Sequence, residues 1–102
     1  MVDVAFKSIF DVPDDFTGRC IIRNNVHWYL NSKHHRIDGP AIEWANGSKA
    51  WYLNGEPHRI DGPAVERVDG TKEWWFNYEL YGEDNDFTNE SWILFQRTLL
   101  FS

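Results

Sequence analysis

His35-Arg36-Ile37-Asp38 and His58-Arg59-Ile60-Asp61 twice place an imidazole, a guanidinium and a carboxylate within four consecutive positions. Imidazole and carboxylate together can relay protons or bind a metal ion. Repetition argues against both roles, because a catalytic site needs one converged constellation. The same tetrapeptide in successive turns reads more simply as Asp bonding turn amides while His packs locally. A metal site drawn from His27, His34, His35 and His58 lacks the spacing of zinc sites, and only Cys20 could add a thiolate. Glu43, Glu66 and Glu73 beside aromatic residues invite comparison with a glycosidase pair, which needs two acids across a cleft that a shallow sheet does not offer. Gly39, Gly47, Gly62 and Gly70 stand in turn contexts and not between a strand and a helix, so they form no phosphate cradle. The expectation is a chain with no catalytic residue, no cofactor and no metal, and not an enzyme.

What positions these residues is a repeat. Trp28–Asn54 laid over Trp51–Asn77, 23 positions later, gives roughly 16 identities in 27 positions. Self-similarity of this kind decides architecture before local propensity does. In the best-formed unit, 41–45 and 48–53 flank Asn46-Gly47; in the next, 64–68 and 71–76 flank Asp69-Gly70. Both dipeptides tolerate the positive φ of a two-residue hairpin turn. With such turns Ile42 faces Trp51 and Val65 faces Trp74, Leu53 and Phe76 falling on the same, core side. Glu43, Tyr52, Glu66, Glu73 and Trp75 then form an outward face, with Glu66 directly across from Glu73. A register error of one residue would exchange the faces. Residues 18–30 read as a degenerate capping unit turning at Asn24-Asn25.

Outside the repeat, Val2–Phe10 alternates imperfectly and is expected to add a strand or a helical turn, and Pro13-Asp14-Asp15 a loop. Asn89–Leu100 has Trp92, Phe95, Leu99 and Leu100 at helical spacing, with Gln96 and Arg97 between them. Thr88 is placed to cap this helix, and Phe87 to staple onto Trp92. Its apolar stripe is expected to close the sheet. The fold expected is mainly β, serial antiparallel hairpins with a short C-terminal α-helix, in one domain: an N-terminal segment 1–17, about three repeats over 18–82, and a loop and helix over 83–102.

A chain of 102 residues has a surface-to-volume ratio that leaves its core marginal, and an aromatic content of 17% with six Trp compensates. The lone Cys20, beside Ile21 and Ile22, reads as a small buried hydrophobe. Neither a leader nor an apolar run able to span a bilayer is apparent, and cytoplasmic residence is expected. The net charge of −6 disfavours phosphate backbones and anionic membranes and favours basic partners.

The succession Asp-Gly-Pro-Ala, polar strand, Asn/Asp-Gly, aromatic strand ending in Trp-Tyr-Leu-Asn, then His-Arg resembles MORN-type repeats over about residues 18–82. It is similar to the divergent form in YwqK-like bacterial antitoxin components and in many uncharacterised bacteriophage proteins. The resemblance implies serial hairpins in an elongated or curved sheet and a virus or mobile-element context. Asn77-Tyr78 replaces Asn-Gly and no His-Arg follows, so the array ends there.

The function expected is a small acidic protein-binding module, phage-encoded, that inhibits a host defence or nucleic-acid-processing protein in the host cytoplasm. It would act in the manner of an anti-CRISPR or antitoxin, by covering a basic surface. Tyr52 and Trp75 would anchor, while Glu43, Glu66, Glu73, Glu83, Asp84 and Asp86 steer the partner. No direct nucleic-acid or membrane contact is expected. One alternative is a nucleotide-binding or sequestering protein in which His35, Arg36, His58 or Arg59 contacts phosphate. Another is an assembly protein, pairing through sheet edges as a homodimer or larger array.

Overall fold

A run of tight turns dictates the architecture. The computed structural model of the chain describes residues 4–101. At Arg23-Asn24, Asn31-Ser32, Asn54-Gly55 and Asn77-Tyr78 both central residues have φ between 50° and 82°, the signature of a two-residue type I′ hairpin turn. These turns join β2 (Gly18–Ile22) to β3 (Asn25–Leu30), β3 to β4 (Lys33–His34), β7 (Tyr52–Leu53) to β8 (Glu56–Pro57), and β10 (Lys72–Phe76) to β11 (Glu79–Glu83). Asn25, expected within the first turn, is the first residue of β3 and pairs with Ile22.

With β1 (Val4–Phe6), β5 (Ile42–Glu43), β6 (Lys49–Ala50) and β9 (Val65–Glu66), the described residues build a sheet ordered β1-β2-β3-β5-β6-β9-β10-β11, with β4 added beside β3. β7 and β8 form a separate two-stranded ribbon. All pairs are antiparallel except β1 with β2. The protein is thus mainly β with a single C-terminal helix, α1 (Asn89–Leu100). The N-terminal segment contributes both β1 and a 3-10 turn, Ile9–Asp11, capped by Ser8. Of the span 2–10, positions 2 and 3 lie outside the described residues.

The two hairpins expected to turn on Asn46-Gly47 and Asp69-Gly70 are corrected by one residue. Ile42 pairs with Ala50 and Glu43 with Lys49; Val65 pairs with Glu73 and Glu66 with Lys72. The loops have three residues, 45–47 and 68–70, closed by Gly47 N–H to Trp44 O (3.0 Å) and Gly70 N–H to Arg67 O (2.9 Å). Only the glycines take positive φ, 98° and 92°, the geometry of a type I turn followed by a glycine bulge. Asn46 and Asp69 instead accept from the backbone N–H of Ser48 and Thr71 through their side chains, both at 2.9 Å, an Asx turn that holds φ negative. The slip sends Trp51 to the side opposite Ile42.

Alternation along the strands then sorts the two faces. One carries Cys20, Ile22, Tyr29 and His27, continuing into Ile42, Ala50 and Val65, all buried. Phe6 and Phe16 pack on its first half; Trp44, Tyr52 and Trp75 pack on its second. The opposite face carries Trp28, Trp51 and Trp74. Each Trp28 and Trp51 backbone N–H donates to the carbonyl of the next unit's alanine, Ala41 or Ala64, at 2.7 Å. Both alanines are fully buried, so a larger side chain has no room there.

Helix α1 covers the end of the Trp face. Thr88 caps it, accepting from Ser91 N–H at 3.0 Å, and Phe87 meets Trp92 with ring centroids 5.0 Å apart. Trp92 is fully buried against Trp74 at 5.6 Å. Gln96, which the sequence sets between the apolar positions, is also buried: its amide donates to Ile60 O at 2.7 Å and to Trp92 O at 3.2 Å. Leu100, expected in the stripe, is exposed.

Candidate functional site

The motif His-Arg-Ile-Asp-Gly-Pro-Ala builds one device twice. Arg36 Cζ lies 4.3 Å from the Trp28 ring centre and Arg59 Cζ lies 3.8 Å from that of Trp51, cation–π distances. On the other side each guanidinium meets a glycine. A Cβ built on Gly39 would stand 2.9 Å from Arg36 Cζ, and one on Gly62 2.8 Å from Arg59 Cζ. The motif glycine is therefore required by close approach and not by a positive φ. In the plane, Arg36 donates from Nε to Asp38 at 2.9 Å and from NH1 to Pro40 O at 3.2 Å. Arg59 donates to Asp61 at 3.2 Å, Pro63 O at 3.3 Å and Glu66 at 3.0 Å. Glu43 lies 3.6 Å from Arg36 NH1. Sequence alone assigned the Asp to turn amides; its partner is the Arg two positions before it.

This use of Arg36 and Arg59 bears on phosphate recognition by the same residues. The side fork of each guanidinium, Nε with NH2, is closed because the single Nε hydrogen goes to the motif Asp, and NH1, bonded to a backbone carbonyl, keeps at most one hydrogen for an anion. His35 Nδ1 accepts from Asn54 N–H at 3.0 Å, a local structural bond.

The outward face expected from Glu43, Tyr52, Glu66, Glu73 and Trp75 is not assembled as one surface. The one-residue slip places Glu43 and Glu66 on the Trp51 side, where Arg36 and Arg59 pair with them. Tyr52 and Trp75 turn to the buried side and pack on Ile42, Ala50 and Val65. Glu66 faces Lys72 and Lys49 across the strands, and not Glu73. Glu73 accepts from Arg67 at 2.6 Å and from Trp75 Nε1 at 2.8 Å. Burial pushes the Glu73 carboxyl up, but these two hydrogen bonds and the Arg67 charge outweigh it and hold it below its ordinary value.

Glu83, Asp84 and Asp86 do come together, at the far edge of the sheet. Glu83 ends the terminal strand β11, and Asp84–Asp86 form a 3-10 turn leading to α1. Asp84 accepts from Lys72 N–H at 3.2 Å and Asp86 from Glu83 N–H at 2.9 Å. Glu79 and Glu90, on the same edge strand and the first turn of α1, were not singled out from sequence. Their signal is compositional: residues 77–96 hold Glu79, Glu83, Asp84, Asp86 and Glu90 and no Lys or Arg, five of the six net negative charges. All five carboxylates are on exposed residues. Among the described residues the ion pairs join arginines to Asp38, Glu43, Asp61, Glu66 and Glu73, and none involves this edge.

Two further features lie elsewhere. His27 Nδ1 and His34 Nε2 share a hydrogen bond of 2.9 Å beside Tyr29 and Tyr52. Burial, and secondarily the neighbouring His27, pull the His34 pKa down to about 4; burial also lowers that of His27. An open groove of about 550 Å³ lies between the two His-Arg loops. No group of three or more His, Cys, Asp or Glu able to hold a metal occurs among the described residues, and no described helix is long and apolar enough to cross a membrane.

No protein-family model, curated protein or solved structure matches the chain.

Proposed function

We propose that the chain is a small protein-binding module that covers a basic surface of its partner, with the acidic edge formed by β11, the 3-10 turn and the start of α1 as the steering element. The observation that carries this reading is the segregation of charge. The array neutralises its own carboxylates with arginines, while the edge holds five exposed carboxylates, none of them in an ion pair among the described residues, with Glu83 alone in the field of Arg67. Such one-signed patches accelerate encounter with oppositely charged partners. The exposed Tyr78 and Leu80 add apolar contact beside them. The role is non-catalytic, and the repeat's likeness to MORN-type arrays of bacteriophage proteins supports a phage-borne inhibitor of a host defence or nucleic-acid-processing factor, acting by occlusion in the host cytoplasm.

The test is capture from a bacterial lysate at low and high salt, with the wild type beside a Glu79→Lys, Glu83→Lys, Glu90→Lys variant. These three are chosen because Asp84 and Asp86 accept backbone bonds that hold the turn. Basic proteins retained by the wild type should elute with salt and be lost from the variant, with affinity falling about tenfold or more. Equal retention by both proteins would overturn the reading.

A further inference from the structure

Helix α1 docks into a groove that the array contains twice. Its Trp92 indole donates to Arg59 O at 3.0 Å and its Gln96 amide to Ile60 O at 2.7 Å. The Trp92 ring lies 5.6 Å from that of Trp74, and the Phe95 ring 5.6 Å from that of Tyr81. Moved back by one repeat of 23 residues, Arg59, Ile60, Trp74 and Tyr81 become Arg36, Ile37, Trp51 and His58. Those four line the open groove between the two His-Arg loops. The end of the array fills its copy with the chain's own helix, and the middle leaves its copy open.

Two observations mark the open copy as incomplete. Among the described residues no hydrogen bond reaches the carbonyls of Arg36 and Ile37, whereas those of Arg59 and Ile60 each accept one from α1. Ile37 is 87% exposed, against 61% for Ile60 beside the helix. The charges of the groove are already settled, since Arg36 holds Asp38 and Arg59 holds Asp61; neither a cation nor an anion is called for. One difference defines the space that remains. Gly82 lies close under the Phe87 ring, but its counterpart is Arg59, whose guanidinium itself covers Trp51. The open volume therefore corresponds to that of Trp92, Phe95 and Gln96, and not to that of Phe87.

We infer that this groove seats an amphipathic helix of a partner protein, one presenting an indole and, one turn later, a carboxamide. Side chains four apart stand one above the other on a helix, so they reach consecutive carbonyls of one loop, as Trp92 and Gln96 do. Laying an apolar helical stripe into a preformed groove is a common mode of recognition. The α1 of a second copy is not the occupant, because its Trp92 is fully buried in its own chain. The groove reads shape and hydrogen bonding where the acidic edge reads charge, and it does not require that the partner be basic.

The probe is a labelled peptide with the sequence of residues 87–101, blocked at both ends, in which Glu90 and Arg97 cancel. Anisotropy with the full chain should show saturable binding below millimolar peptide, weakened about tenfold by Ile37→Asp in the protein. Trp92→Phe or Gln96→Leu in the peptide should each cost about fivefold, the loss of one hydrogen bond. Ile37 is exposed, so an unchanged melting temperature verifies the fold of its variant. Absence of binding at millimolar peptide overturns the proposal. Binding that ignores Ile37→Asp also overturns it, since exchange with the resident helix takes place against Arg59 and Ile60, one repeat away. A dimer of the full chain that Ile37→Asp dissociates would overturn it too, by giving the groove to a second copy.

Discussion

Trp28 and Trp51 inside the array and Trp74 at its end occupy the same repeat position and are covered in opposite ways. The interior rings are covered by Arg36 and Arg59, whose charge stays partnered by carboxylates at the surface. At the end, the position equivalent to Arg59 is Gly82. A Cβ there would stand 2.8 Å from the Phe87 ring, and Phe87 with Trp92 covers Trp74 instead. The Trp74 indole N–H finds Asp84 O at 2.9 Å, and Trp92 donates across to Arg59 O at 3.0 Å. A guanidinium cover leaves polar edges onto which another unit can stack; a helix with a buried Trp cannot be extended. The difference separates a unit made to be repeated from one made to stop, as stacked arrays require.

The two covers should differ in energy. Trp92→Ala removes a fully buried side chain touching three other rings and is expected to cost about 3–5 kcal/mol, a large share of the stability of a domain this size. Arg59→Met keeps much of the stem and loses the cation–π contact and surface pairing, expected at about 1–2 kcal/mol. Urea titration, which leaves charges unscreened, measures both. Equal losses would mean that the helix is an appendage and not the closing element.

A second contrast opposes the dry end to the His27–His34 pair on the buried face. Both imidazoles titrate lower in the folded chain than in the unfolded one, where about 6.5 applies. Below pH 6.5 the unfolded state therefore binds more protons. Stability present above that pH is lost as pH falls toward 4, and the loss levels off below the folded value. For a half-buried ring the effect is at most about 2–3 kcal/mol. His34→Gln keeps an amide within reach of His27 and should flatten the pH dependence of the urea midpoint between pH 6.5 and 4. An unchanged slope would place the acid sensitivity on carboxylates such as Glu73.

The parts legible in the sequence were those written by a single local rule. The helix with its Thr88 cap and Phe87 staple, buried Cys20, and hairpin succession all follow from one residue's preference or one period. Strand register was not legible, because it turns on whether Asn46 and Asp69 or only Gly47 and Gly70 take positive φ. The usual arbiter, hydrophobic alternation, fails where Trp51 and Tyr52 are adjacent and either can be the core residue. Ser48 and Thr71, each two residues after the Asn or Asp whose side chain accepts its N–H, were the available signal for the longer loop. The role of Arg36 and Arg59 was hidden because their rings lie eight residues earlier, across a hairpin.

The smallest effect is the most diagnostic of how the interior cover works. Gly62 and Gly70 are both single glycines in turns, but they serve different needs. Gly70 has φ 92° and nothing within 4 Å of a built Cβ, whereas Gly62 lies under Arg59, with Nε at 3.0 Å and NH1 at 3.1 Å besides Cζ. Arg59 cannot simply swing aside, since Trp51, Asp61, Pro63 O and Glu66 hold it. Gly62→Ala should cost about 1–2 kcal/mol through displacement of the guanidinium, and Gly70→Ala a comparable about 1 kcal/mol through backbone strain alone. The two are told apart by repeating each in an Arg59→Ala background. With the guanidinium gone, Gly62→Ala should become nearly neutral, while Gly70→Ala keeps its full cost, a coupling of about 1 kcal/mol for the first pair and none for the second. If Gly62→Ala costs the same in both backgrounds, the glycine serves its loop and not its arginine, and the sandwich of ring, guanidinium and glycine is not the unit that the array repeats.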